Sequence, residues 1–252
     1  MELRMDGRVA LVTGGSKGLG YAMAHKFAAS GAQVCVVARN GDEVAEAANR
    51  IKLETGTGSL GLPCDVSQAG QLQSVFDSCI ETFGKVDILI NNAGHAMAGE
   101  FESITDEEWQ YDFDLKLMAA VRMSRLVFPG MKERRWGRII NMLNTLAKTP
   151  ARGSAPTSVT RAAGMALTKV LAGEGAPHNI LVNGFNIGLI KSDQIQRGYD
   201  SKPREESFDE FPIGRYGEAE ECANLACLLC SDDCGFVSGT AINIDGNMSP
   251  AM

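Results

Sequence analysis

Across 252 residues, 44% of them hydrophobic and 28 of them glycine, the chain has enough apolar mass for one large core, and a single α/β domain spanning 1–252 is the expectation. A net charge of -7 at pH 7 gives no field that would attract nucleic acid or an anionic membrane, so neither is an expected partner. The N-terminal MELRMDGRVALVTGG reaches glycines too early for a signal peptide or a membrane span, which points to a cytoplasmic protein.

Taken in order, RVALVT, AQVCVVA, GSLGLPC, VDILINN, GRIINML, ILVNGF and TAINI are short runs of Val, Ile and Leu without a polar face, the pattern of strands buried on both sides. Between them, LGYAMAHKFAAS, GDEVAEAANRIKLE, AGQLQSVFDSCIETF, the long stretch from Asp106 to Met131, SVTRAAGMALTKVLAGEG and EAEECANLACLLC predict helices. Strand and helix alternating in this way predict a Rossmann-like, doubly wound, seven-stranded parallel sheet with helices on both faces. The charged, weakly periodic segment around 190–212 is long enough to be a lid over a ligand. Seven cysteines, an odd number, read as reduced thiols. Cys222, Cys227, Cys230 and Cys234 fall close together, but in an apolar helical pattern where cysteine acts as a small hydrophobe, and no metal is expected.

The first strand runs into TGGSKGLG, Thr13 to Gly20. Gly14, Gly18 and Gly20 sit between a strand and a helix, where missing side chains let backbone approach a pyrophosphate at the helix N-terminus. After the second strand, Ala38 stands where an acid would bind a ribose 2′-hydroxyl, and Arg39 follows it. Arg39 suits a 2′-phosphate and favours NADP(H) over NAD(H).

The spacing of this turn resembles the T-G-x-x-x-G-x-G of the short-chain dehydrogenase/reductase family, and NNAG at Asn91 to Gly94 matches its second signature. The resemblance runs from Gly7 through Ile244. It implies a dinucleotide lying along Ser16, Lys17 and Leu19 in the turn, on Asp65 and Val66 of CDVS at the adenine end, and past Asn92, Ala93 and Gly94 to the nicotinamide. Ile187 and Gly188 stand where the family usually has Pro-Gly, and Ser192 keeps the hydroxyl that commonly binds the carboxamide. It also implies a small-molecule substrate and pairing of the two long helices in a homodimer or homotetramer.

The family's catalytic tetrad is an asparagine, a serine, and a tyrosine and lysine one helical turn apart. Aligned through DFDLKL, IINMLN and PTSVTRAAG, those positions hold Lys116, Asn144, Thr157 and Arg161. Thr157 lacks a tyrosine's acidity and an arginine does not shuttle protons, so the standard route is closed. Thr157 and Arg161 are therefore expected to form a binding surface, with Arg161 on a ribose or a substrate anion and Asn144 donating to a carbonyl. Lys116 titrates only if buried. His95, directly after NNAG, leads as the replacement acid because histidine titrates near neutrality, ahead of Tyr199 and Asp114; His25 and His178 take no role. Three functions follow from this pattern: an NADP(H)-dependent carbonyl or alcohol oxidoreductase with a non-standard proton path, a non-redox isomerase, lyase or cyclase on the same fold, and a dinucleotide-binding protein without turnover. The first is the expectation, since the nucleotide motifs are intact beside a rebuilt tetrad.

Overall fold

The computed structural model describes residues 3–191 and 212–251. Within them, seven parallel strands form one sheet in the order β3-β2-β1-β4-β5-β6-β7: β1 (Val9–Thr13), β2 (Gln33–Ala38), β3 (Ser59–Pro63), β4 (Ile88–Asn91), β5 (Gly137–Asn144), β6 (Ile180–Ile187) and β7 (Ala241–Ile244). Each of the seven apolar runs is a strand, to within a residue or two at its ends. The order reverses between β1 and β4, and such a reversal opens a crevice at the carboxyl ends of the strands.

Alternation along β1 divides the core in two. Ala10 and Val12 face one layer, with Met23, Ala24 and Phe27 of α1 (Gly18–Ala29), Val44 and Ile51 of α2 (Gly41–Thr55), and Cys222, Cys227 and Cys230 of the last helix. Val9 and Leu11 face the other, with Leu72, Val75 and Cys79 of α3 (Ala69–Phe83) and Met123, Val127 and Met131 of the long helix. The three cysteines pack as small apolar groups, and burial raises the thiol of each.

The predicted long helix departs from a plain α-helix. It runs as α4 (Asp106–Asp112), a π-turn over Phe113–Met118, and α5 (Ala119–Arg134). Thr105 starts it with a reciprocal cap: its hydroxyl accepts from the Glu108 amide, and the Glu108 carboxylate accepts from the Thr105 amide. The π-turn inserts one residue's worth of slack, and such turns recur at functional sites. The helix α6 (Thr157–Gly175) starts one residue ahead of the predicted Ser158, and α7 (Ala219–Cys230) closes the chain's helical set. Of the expected lid, Ile190 pairs with Gly217 in an isolated bridge, while 192–211, with Ser192 and Tyr199, lie outside the described residues.

A buried polar ladder ties the centre of the sheet to α6. The Asn91 side chain of β4 donates to Asn141 Oδ1 at 2.9 Å, and the Asn141 side chain of β5 donates to the Thr168 hydroxyl at 2.9 Å. Partnered polar groups inside a core fix register, and this ladder sets β4, β5 and α6 in the positions from which the site is built.

Candidate active site

The glycine-rich turn is built as an open cradle at the start of α1. The Thr13 hydroxyl accepts from the Asn92 and Ala93 amides at 3.0 and 3.1 Å, and the Asn92 side-chain amide donates to the carbonyls of Thr13 and Gly14 at 2.9 and 3.0 Å. Asn92 is therefore a clamp on the turn. A Cβ at Gly20 would run into the Gly14 carbonyl, and one at Gly14 would lie 2.8 Å from the Asn92 amide nitrogen, so both must be glycine. At Gly18 the backbone has φ of +57° and faces open space. Helix α1 opens there without any side-chain cap and with no acid in its first turn. By contrast α2 is capped, its Asn40 side chain accepting from the Asp42 and Glu43 amides. An uncapped helix N-terminus beside open space leaves N–H donors for an anion.

Around the turn, Lys17 is exposed and pairs with Glu43 at 3.4 Å. Arg39 is exposed at the end of β2. The Asp65 carboxylate accepts from the Ser67 amide and hydroxyl at 3.0 and 2.8 Å, which fixes the loop after β3. The Gly188 amide donates to the Ile244 carbonyl at 2.9 Å, anchoring the turn after Ile187 to β7.

The other half of the site lies between the π-turn and the first turn of α6. Lys116 and Asp112 are buried and form an ion pair. The Lys116 ammonium also donates to the Thr157 hydroxyl oxygen at 2.7 Å, and Thr157 is itself buried. Thr157 Oγ1 accepts a second hydrogen bond, from the Met97 amide at 2.9 Å. One helical turn on, the Thr160 hydroxyl donates to the free Asp112 oxygen at 2.7 Å. Burial pushes Lys116 down to about 8, against the pull of Asp112.

Arg161 reaches in the opposite direction and donates to the Met142 carbonyl of β5. Its guanidinium lies 2.9 Å from where a Cβ at Gly94 would be, and Lys116 Cγ lies 3.4 Å from the same point, so glycine at 94 is what lets both cations close on the end of β4. Burial lowers Arg161 to about 10. Arg161 Nε and Asn144 Oδ1 are buried with no hydrogen-bond partner among the described residues. Buried polar atoms without partners are uncommon; among the described residues Ser59 Oγ, Arg138 Nε and Asn186 Oδ1 share that state.

His95 sits half-buried at the rim, its ring 6.0 Å from that of Tyr111. Burial and the charges of Lys116, Arg39 and Arg161 lower it below the usual histidine range, which keeps the imidazole neutral at neutral pH. Asp114 faces away from this cluster: its carboxylate binds Arg122 and Gln110, each at 2.8 Å, so the acid of the long helix that enters the site is Asp112. Asp112 and Thr160 were not among the sequence candidates. Their signal is two matched spacings, D-x-x-x-K at 112–116 and T-x-x-T at 157–160, which place four polar side chains on facing helical turns.

Residues 14–249 match the family model described as Enoyl-(Acyl carrier protein) reductase. Human dehydrogenase/reductase SDR family member 4 is 34% identical over 241 residues, 95% of this chain and 86% of that protein. The chain belongs to the short-chain dehydrogenase/reductase family. Another member, the 3-oxoacyl-acyl-carrier-protein reductase FabG of Escherichia coli, is 32% identical over 246 residues, covering 98% of this chain and 99% of that one. Among solved family members, the L-sorbose reductase of Gluconobacter frateurii, complexed with NADPH and L-sorbose, superposes with a TM-score of 0.96 at 35% identity over 100% of both chains. The described residues of this family member contain no helix long and apolar enough to cross a membrane.

Proposed function

We propose that this chain is an NADP(H)-dependent oxidoreductase acting on a carbonyl or alcohol substrate, with Lys116 supplying the proton through Thr157. The observation that carries this reading is the 2.7 Å hydrogen bond from the Lys116 ammonium to Thr157 Oγ1. Four family positions are rebuilt together in this reading, Lys116, Asn144, Thr157 and Arg161; two of the new side chains, Lys116 and Thr157, bond directly to each other, and Arg161 donates to the Met142 carbonyl of β5.

The cradle fits a dinucleotide: the uncapped first turn of α1 would take the pyrophosphate through Gly18, Leu19 and Gly20, with Ser16 beside it. Arg39 and Lys17 would meet the 2′-phosphate, Asp65 and Val66 the adenine, and Ala93, Gly94, Ile187, Gly188 and Ser192 the nicotinamide end. The NADPH bound to the Gluconobacter relative supports the choice of NADP(H). When bound, it supplies two-electron redox chemistry.

The chain's own residues supply the proton. Thr157 Oγ1 accepts from both Met97 N and Lys116 Nζ, which fills its two lone pairs and leaves its single hydroxyl hydrogen free to donate to a substrate carbonyl oxygen. As negative charge grows on that oxygen, the hydroxyl proton crosses to it and a Lys116 proton crosses to Oγ1, leaving a neutral amine. Alcohol oxidation runs the same transfers backwards. Threonine's weak acidity is then no obstacle, because the group that changes charge is Lys116. Burial and the neighbouring cations disfavour the protonated form of His95, so it is a less available proton donor than the sequence suggests. Arg161 Nε and Asn144 Oδ1 remain to hold a ribose or substrate polar group.

Turnover on a carbonyl panel, followed at the nicotinamide absorbance with NADPH and NADH, tests the reading. Reduction is expected to fall as pH rises through about 8, and alcohol oxidation to rise there, since each needs the opposite state of Lys116. Thr157→Val should lower turnover about 100-fold and Thr157→Ser should restore most of it; a loss of only two- to tenfold in the valine variant would return Thr157 to a binding role. Exposed Val159 and Val170 on α6 support the expected pairing of subunits, which sedimentation equilibrium would register as a dimer or tetramer.

A further inference from the structure

We propose that Asp112 is the positioning residue of this site, its carboxylate clasped between Thr160 and Lys116 so that the Lys116 ammonium is held against the Thr157 hydroxyl. The proposal rests on the reading of Lys116 as the proton source. Three hydrogen bonds link four side chains across two helices, from Lys116 to Thr157, from Lys116 to Asp112 and from Thr160 to Asp112, with Thr157 and Thr160 one turn apart on α6. Asp112 is 0% exposed and the Lys116 side chain 1%. An ammonium in such a place loses its proton unless an anion stands beside it.

The charged groups facing Lys116 are Asp112 on its own helix and Arg161 from α6, with His95 and Arg39 beyond them around the rim. Asp112 is the anion in that set, and it opposes both burial and the repulsion of Arg161. Its second oxygen is tied to Thr160 at 2.7 Å, so the carboxylate cannot swing away and let the lysine follow it. Asp112 touches neither the substrate oxygen nor the cofactor in this scheme. It acts on the reaction through the place and charge of Lys116.

Asp112→Asn keeps the shape and removes the charge. In the intact protein the alkaline limb of the reduction profile is expected to move to lower pH by about one unit or more, the size of effect an adjacent opposite charge has on a titrating group, with NADPH affinity within about twofold of wild type. The Lys116 resonance in 13C spectra of protein labelled at lysine Cε, identified by its loss in Lys116→Met, should titrate lower by the same amount. Thr160→Val, which leaves every charge in place, should move both readouts in the same direction by less, and it serves where Asp112→Asn does not fold. A folded Asp112→Asn whose pH limb and Lys116 titration both stay at the wild-type values overturns the proposal, as does Thr160→Val leaving both unmoved if it alone folds. Should the wild type reduce no carbonyl while the Lys116 resonance still moves in Asp112→Asn, the proton-path reading falls and the hold of Asp112 on Lys116 stands.

Discussion

Two buried aspartates sit at opposite ends of the sheet, and their surroundings differ in kind. Asp87, just before β4 at the amino ends of the strands, is 1% exposed; it accepts from the Val9 amide at 3.1 Å and pairs with Lys85 and Arg134, whose side chains are each 31% exposed. Close by, Trp136 lies between two guanidinium groups, Arg8 at 3.6 Å and Arg138 at 4.3 Å from the ring, while its indole N–H donates to Asp232 at 2.7 Å. Lys85 and Arg134 reach water there, while Arg138, like Asp87, is buried. Asp112, at the carboxyl ends, is sealed with a sealed lysine, within the field of Arg161, whose Nε has no partner. One aspartate is met by cations that reach water and the other by a lysine that does not, while each end of the sheet keeps a buried arginine Nε without a partner, Arg138 at one and Arg161 at the other.

The strongest way to break this comparison is Lys116→Met. It should reduce carbonyl turnover at least about 100-fold, the usual size of a lost general acid. It should also lower stability by roughly 3 to 5 kcal/mol, because Asp112 is left buried and unpaired. Adding Asp112→Asn should return the stability, read in urea melts, without returning activity. Activity surviving in a folded double variant would place the proton source elsewhere.

Arg39→Asp comes next. The ratio of NADPH to NADH affinity should fall about tenfold or more, reversing or erasing the preference, and an unchanged ratio in fluorescence titrations removes Arg39 from the site. At the opposite end, Asp87→Asn should cost about 1 to 3 kcal/mol through the weakened hold on Val9, Lys85 and Arg134, while the pH limb of turnover stays fixed. A moved limb there would mean that the two ends are electrostatically coupled after all.

The smallest effect is on stability against pH. Lys116 is held near 8 in the fold against 10.5 when free. Between those values the unfolded chain binds the extra proton, so stability rises with pH, by roughly 1 kcal/mol at pH 9. Below about 8 both states are protonated and the slope vanishes. Thermal melts of wild type against the Lys116→Met, Asp112→Asn double variant isolate this term, and identical pH slopes would show that Lys116 keeps its ordinary value.

Strands and cradle were legible in the sequence because each rests on local rules. Apolar runs such as VDILINN have few alternatives in a buried sheet, and the TGGSKGLG spacing answers to backbone contacts within one turn. The Lys116 cluster was legible only in part. Position 116 stood out as a lysine where the family has asparagine, but DEEWQYDFDLKL offers several acids, and which of them turns inward depends on the helical phase. A straight α-helix gives no hint of the π-turn over Phe113–Met118. His95 drew attention through its ordinary titration range, which the neighbouring cations and burial then lowered; that shift is a property of three other chain segments and cannot be read locally.

The π-turn also constrains what lengths this part of the chain can have. Removing one residue between Phe113 and Met118 would let the helix close into regular i to i+4 bonding, a shape better in itself. Each residue turns an α-helix by about 100°, so the same deletion would swing either Asp112 and Lys116 or the core-facing side of α5 out of phase with the other. A shortened chain would therefore fold its helix more comfortably and lose either the polar cluster of Asp112, Lys116, Thr157 and Thr160 or the packing of Met123 and Val127 against the sheet. In this helix the extra residue is the difference between a scaffold and a site, and its length is fixed by chemistry at one end and by packing at the other.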